Sequence, residues 1–197
     1  MPLFYLILVC FVFLSCSTSK RNATSNSTTN ASQNWNLIFQ DDFNKRGFFD
    51  TGKWVYSKRG STAWSRFLTQ SPDYAFQDKG NLVLKMDGKV ITGDDVPFHS
   101  SGIQSKGKFS FSYGKVEVRA KFNGGRGSWP AIWMMPANDT YGGWPQSGEI
   151  DIMEHVNNEA VVHQTIHNAF ATNASGASIA TSKTAYNAKD YNLYGII

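Results

Sequence analysis

The chain has 197 residues, 41% of them apolar and 17% charged, a balance that supplies a packed core and excludes a disordered polyelectrolyte. Its net charge is +4, but the first 34 residues contribute Lys20 and Arg21 and no acid, which leaves +2 for residues 35–197. A near-neutral body of that length fits one domain and argues against nucleic acid as the main partner.

Residues 1–16 read as a signal peptide. The apolar run from Pro2 to Leu14 is too short to span a bilayer stably. Phe13-Leu14-Ser15-Cys16 resembles a lipobox, so Cys16 is the expected lipidation site and the mature protein an exported, membrane-anchored lipoprotein in the periplasm or on the cell surface. Both cysteines, Cys10 and Cys16, lie in this leader. Disulfides, thiolate metal sites and a cysteine nucleophile are therefore excluded from the domain that follows. Residues 17–34 are almost purely Ser, Thr, Asn and Ala, the composition of a flexible tether.

From Trp35 onward the hydrophobic period is that of strands. Tyr113–Phe122 alternates Val116, Val118, Ala120 and Phe122 with Lys115, Glu117, Arg119 and Lys121, as a half-buried antiparallel strand does. Shorter runs at Asn36–Phe39, Asn81–Met86, Lys108–Ser112, Ala131–Met135, Glu149–Val156 and Val161–Asn168 are separated by Gly-rich or Pro-rich turns. The pattern predicts an all-β, antiparallel β-sandwich or jelly roll over residues 35–197. The last residues, Asp190–Ile197, read as a strand cut mid-element. The domain is expected to lack its closing strands, to expose unpaired edges as it stands, and to be a monomer if complete.

The sharpest feature is Ser147-Gly148-Glu149-Ile150-Asp151-Ile152-Met153-Glu154-His155, with three carboxylates within six residues of an apolar strand. On a regular strand Glu149 and Asp151 share a face and Glu154 takes the other. A β-bulge within Ile152–Met153 brings Glu154 round to join them. Carboxylates crowded on one face raise at least one pKa. Such a set suits retaining glycoside hydrolysis, which needs a carboxylate nucleophile and a protonated acid close together. An acidic solvent-facing edge, or oxygen ligands for Ca²⁺, would give similar spacing.

Glu149-Ile150-Asp151-Ile152-Met153-Glu154, preceded by Trp144-Pro145 and by Trp129-Pro130-Ala131-Ile132-Trp133-Met134-Met135-Pro136, resembles glycoside hydrolase family 16, its laminarinase-like and endo-β-1,3(1,4)-glucanase members in particular. Tyr113–Phe122 and Phe39-Gln40-Asp41-Asp42-Phe43 resemble the family too. The resemblance implies a substrate cleft on a concave sheet, with Glu149 as nucleophile, Asp151 as assisting acid and Glu154 as acid/base. It implies hydrolysis of β-1,3- or mixed-linkage β-1,3/1,4-glucan and requires no cofactor. The alternatives are a non-catalytic glycan-binding protein on the same fold, a hydrolase of marine galactans, or a transglycosylase.

Sugar rings offer C–H faces that stack on indole. Of the six tryptophans, Trp144 and Trp129, both at turns, are the expected platforms; Trp133 is open between substrate and core, and Trp35 and Trp54 read as core or sheet-edge packing. His163 and His167 share a strand face ~13 Å apart at ~3.3 Å per residue, too far to chelate one metal. The resemblance makes His167 a substrate-binding residue, whereas His163-Gln164-Thr165 departs from the aromatic-Gly-Thr string usual in laminarinases and leaves the preferred linkage open. His155 is expected at the surface or behind the site. Asp42 stands where relatives carry a cation-associated Glu, so a structural Ca²⁺ is a further expectation.

Overall fold

The computed structural model describes residues 34–197. The leader, Cys16 and the tether up to residue 33 lie outside the described residues. Twelve strands and no helix occur among them. In chain order they are β1 (Val55–Tyr56), β2 (Ala75–Asp78), β3 (Asn81–Leu84), β4 (Met86–Asp87), β5 (His99–Ser100) and β6 (Ile103–Gln104). They continue with β7 (Val116–Ala120), β8 (Ala131–Met134), β9 (Glu149–Glu154), β10 (Val161–His167), β11 (Thr181–Ala185) and β12 (Asn192–Ile196). Every strand pairing is antiparallel.

Two layers position the site. One is a four-stranded sheet in the order β11-β10-β9-β8, and the other is the pair β12-β7. Their facing residues are the apolar members of each alternation: Val116 and Val118 of β7, Tyr194 of β12, Ile132 and Met134 of β8, Ile152 and Met153 of β9, and Val162 of β10. This is the antiparallel sandwich that the alternating pattern predicts. A second cluster gathers Phe43, Phe49, Trp54, Ala75 and Ile103, and Phe39 packs against both. Trp54 is fully buried, and its indole N–H donates to Asp41 Oδ2 at 2.8 Å.

Several expectations are corrected. Residues 36–39 form no strand: Leu37 and Ile38 are each 65% exposed, and of this run Phe39 alone reaches the core. Trp35, read as packed, is exposed. Lys108–Ser112 is not a strand either, because the Lys108 and Phe109 N–H groups donate back to the Ser105 carbonyl in a turn (2.9 and 3.0 Å). Phe109 and Phe111 still pack against the main core from that irregular backbone. Of the two places expected for His155, the surface is the one corrected: it is fully buried behind the sheet, with Nε2 2.7 Å from the Glu159 carbonyl and 3.1 Å from the Tyr186 hydroxyl.

Candidate active site

β9 is the central element of the site. Opposite β8, Trp133 pairs with Asp151 and Ile132 with Met153, so Ile152 has no partner there. Opposite β10, Thr165 pairs with Asp151 and His163 with Glu154, so Gln164 faces both Ile152 and Met153. The extra residue is thus the bulge expected within Ile152–Met153, and both of its side chains are buried in the core. Burying two consecutive side chains on one side turns the following residue outward. Glu149, Asp151 and Glu154 therefore share the face that looks away from the sandwich interior.

Cross-strand partners stand on the same face of a sheet. That places His167 beside Glu149, Thr165 and Trp133 beside Asp151, and His163 and Ala131 beside Glu154. Trp133, left open between core and substrate, is half-buried on this outer face, while Ile132 and Met134 on either side of it fill the core. The turns before β8 and β9 bring the other two expected aromatics. Trp129 donates its indole N–H to Glu154 Oε1 at 2.8 Å, and Trp144 donates to Glu149 Oε2 at 2.5 Å. Both indoles are about half exposed. The Trp144 ring lies 5.4 Å from the His167 ring, and His167 Nε2 is 3.4 Å from Asp151 Oδ2.

The electrostatics separate the three carboxyl groups. Asp151 is 5% exposed; burial, then the Glu154 and Glu149 charges, push its carboxyl up to about 8. Burial also raises Glu149, but the Trp144 N–H bond and the His167 charge work against that rise while Glu154 adds to it. Near neutral pH the central group is therefore a neutral acid between two outer carboxyls held by indole donors. Such a set can supply an anionic nucleophile and a proton donor from one strand.

Among the described residues no group of three or more His, Cys, Asp or Glu side chains is arranged to hold an ion. Both oxygens of Asp42, the residue linked above to Ca²⁺, accept from Gln40 Nε2 at 2.9 Å. Two features went unread in the sequence. Glu159 reaches His163 Nε2 at 2.5 Å beside the Glu154 row, and Trp64 meets Trp133 edge-on at 5.2 Å. Glu159 and His163 are four residues apart across the turn into β10, whereas Trp64 and Trp133 come from segments that no local pattern connects.

The antiparallel β-sandwich thus carries, on one bulged strand, two indole-capped glutamates flanking a buried aspartate. The family model described as glycosyl hydrolases family 16 matches residues 62–197, and the chain belongs to that family. It is 58% identical over 173 residues to a keratan-sulfate endo-1,4-β-galactosidase of Sphingobacterium multivorum, covering 87% of this chain and 41% of that protein. It is 39% identical over 141 residues to a β-glucanase of Rhodothermus marinus, covering 68% of this chain and 48% of the relative. The X-ray structure of the laminarinase from Rhodothermus marinus superposes with a TM-score of 0.73 at 33% identity, over 82% of this chain and 67% of that one. The fold is accordingly the family's jelly roll. The chain spans less than half the length of these two sequence relatives.

Proposed function

We propose that this chain carries the catalytic face of a retaining endo-β-glycosidase acting on β-1,3- or mixed-linkage β-1,3/1,4-glucan. The observation that supports it is the shared face of Glu149 and Glu154 across the Ile152–Met153 bulge, with neutral Asp151 between them. Glu149 attacks the anomeric carbon as Glu154 gives its proton to the departing glycosidic oxygen, leaving a covalent glycosyl ester. Glu154 then takes a proton from water as that water displaces Glu149, restoring both groups. Asp151 stays protonated and limits the charge on the strand, while His167, Trp129, Trp133 and Trp144 line the sugar's path. Reducing-end assays on laminarin and barley β-glucan test the substrate, and NMR of the first-formed anomer tests retention. Glu149→Gln and Glu154→Gln are expected to cost at least ~10²–10³-fold in kcat. Full activity in either variant refutes its role, and no turnover of either glucan refutes the substrate class.

A second reading has its own support in the 58% identity to the keratan-sulfate endo-β-galactosidase. The same two carboxyl groups would cleave a β-1,4-galactoside, and Lys183, exposed and paired in register with His163, would face an anionic substituent. Keratan sulfate, agarose and carrageenan beside the glucans separate the two substrates. Binding of a glycan without release of reducing ends or transfer to an acceptor would instead identify a glycan-binding protein; transfer would identify a transglycosylase.

We also propose export and anchoring through Cys16, on the strength of the apolar run Pro2–Leu14 and the lipobox-like Phe13-Leu14-Ser15-Cys16. Labelled palmitate should enter the wild-type chain and not Cys16→Ser. Equal labelling of both would refute the anchor.

A further inference from the structure

Glu149 and Glu154 lie along β9, so a glycosidic bond held between them has to cross that strand. Each end of the line carries an indole, Trp144 bonded to Glu149 and Trp129 bonded to Glu154. A polysaccharide therefore leaves sideways, over β8 in one direction and over β10 and β11 in the other. The two directions differ in chemistry. Over β10 and β11 the face is polar: Thr165 opposite Thr181, with their hydroxyls 3.3 Å apart, and His163 opposite Lys183. Over β8 it is aromatic, with Trp133 beside Asp151 and Trp64 standing against Trp133 at 73°.

Trp64 arrives from a distant turn that is tightly held. The Ser65 and Arg66 N–H groups donate to the Thr62 carbonyl (3.1 and 3.0 Å), and the Thr62 and Ser65 hydroxyls are 2.5 Å apart. Ser65 is buried, and a Cβ at Gly60 would sit 2.7 Å from its Oγ, so the turn has no room for a side chain there. Arg59 ties the turn's end by donating to the Leu68 carbonyl and, through both terminal nitrogens, to Asp94. The turn thus fixes an indole that is still 47% exposed. Fixing a large apolar ring in the open suits a surface that a ligand covers.

We propose that Trp64 and Trp133 form a subsite for the C–H face of a β-linked pyranose unit beyond the reacting sugar, on the β8 side of the carboxylates. The proposal rests on the glycosidase reading and adds Trp64 as a specificity-determining residue that selects long substrates. Two indole planes near a right angle make a corner that stacks one ring face and walls its edge. The indole bonds to the reacting carboxyls come from Trp129 and Trp144 while Trp64 stands against Trp133, so its effect falls on binding of long chains and not on the chemical step.

The test is calorimetric binding of a glucan hexaose and disaccharide to full-length Glu149→Gln, with and without Trp64→Ala or Trp64→Phe. A keratan-type oligosaccharide of each length runs in parallel. Trp64→Ala should weaken hexaose binding about tenfold, equivalent to ~1.4 kcal/mol, and leave the disaccharide unchanged. Trp64→Phe should recover most of the loss. In the active chain Trp64→Ala should raise KM on polymer while kcat on a short aryl glycoside stays as it was. Unchanged hexaose affinity in Trp64→Ala overturns the subsite and leaves the glycosidase reading standing. No binding of any oligosaccharide by the Glu149→Gln parent overturns both.

Discussion

At the scale of single residues, the three carboxyl groups of β9 are alike in type and are told apart by what surrounds them. Asp151 holds its proton up to about 8, far above an unfolded aspartate. The native state consequently binds more protons than the unfolded chain between ordinary carboxylate pH and about 8, and stability falls as pH rises through that window. Asp151→Asn should flatten this slope. Melting temperatures taken from pH 5 to 8 should decline less in the variant than in the parent, and an unchanged decline would locate the effect elsewhere. Trp144 offers a second case, because its N–H bond opposes the rise of Glu149. Trp144→Phe keeps the ring and removes the donor, so Glu149 should titrate higher and the acid limb of the kcat/KM profile should move to higher pH. A limb that stays put would mean that the bond is absent in solution. Glu149, Asp151 and Glu154 were legible because their spacing is local, and Trp129 and Trp144 because they flank the motif. Trp64 was not, since its partner Trp133 is reached only once the sheet is built.

At the scale of elements, the strand that matters most is also the most irregular. Strand alternation has period 2, and the single extra residue, Ile152, keeps Glu154 in phase with Glu149 and Asp151. An alanine inserted between Met153 and Glu154 should therefore turn Glu154 toward the core and abolish reducing-end release. Deleting Met153 restores plain alternation with Glu154 still on the outer face. That deletion should keep detectable turnover while costing ~2–5 kcal/mol for the emptied core volume, read by denaturant unfolding. Turnover in the insertion variant would refute the phase argument. The bulge itself could be read from sequence because two apolar residues stand together between acids. β11, by contrast, is Thr-Ser-Lys-Thr-Ala with every residue exposed, so it carries no alternation, and its place is set by pairing with β10. Lys108–Ser112 misled in the opposite way: its phenylalanines do enter the core, but a turn satisfies its backbone.

At the scale of the whole molecule, two hydrophobic clusters share one hinge of contact. The larger sits between the β12-β7 pair and the four-stranded sheet, and the smaller surrounds Trp54. A sandwich was legible from the alternation, but this division was not, because Phe39 sits in a segment with no strand of its own. Phe39 stacks on Phe109 at 4.5 Å and meets Trp54 edge-on at 5.4 Å, touching both clusters. Removing a half-buried ring should cost roughly 2–3 kcal/mol, below the range for a fully buried phenylalanine. The distribution of that loss is the more telling quantity. β9 is held by the larger cluster through Ile152 and Met153, whereas Trp54 depends on Asp41, Phe43 and Phe39 beside it. Phe39→Ala should then release the Trp54 cluster first. Amide exchange should quicken around Phe49–Tyr56 and Ala75 while β9 and β10 keep their protection. Equal acceleration in both regions would show that the clusters unfold as one unit, with Phe39 acting as one contact among many.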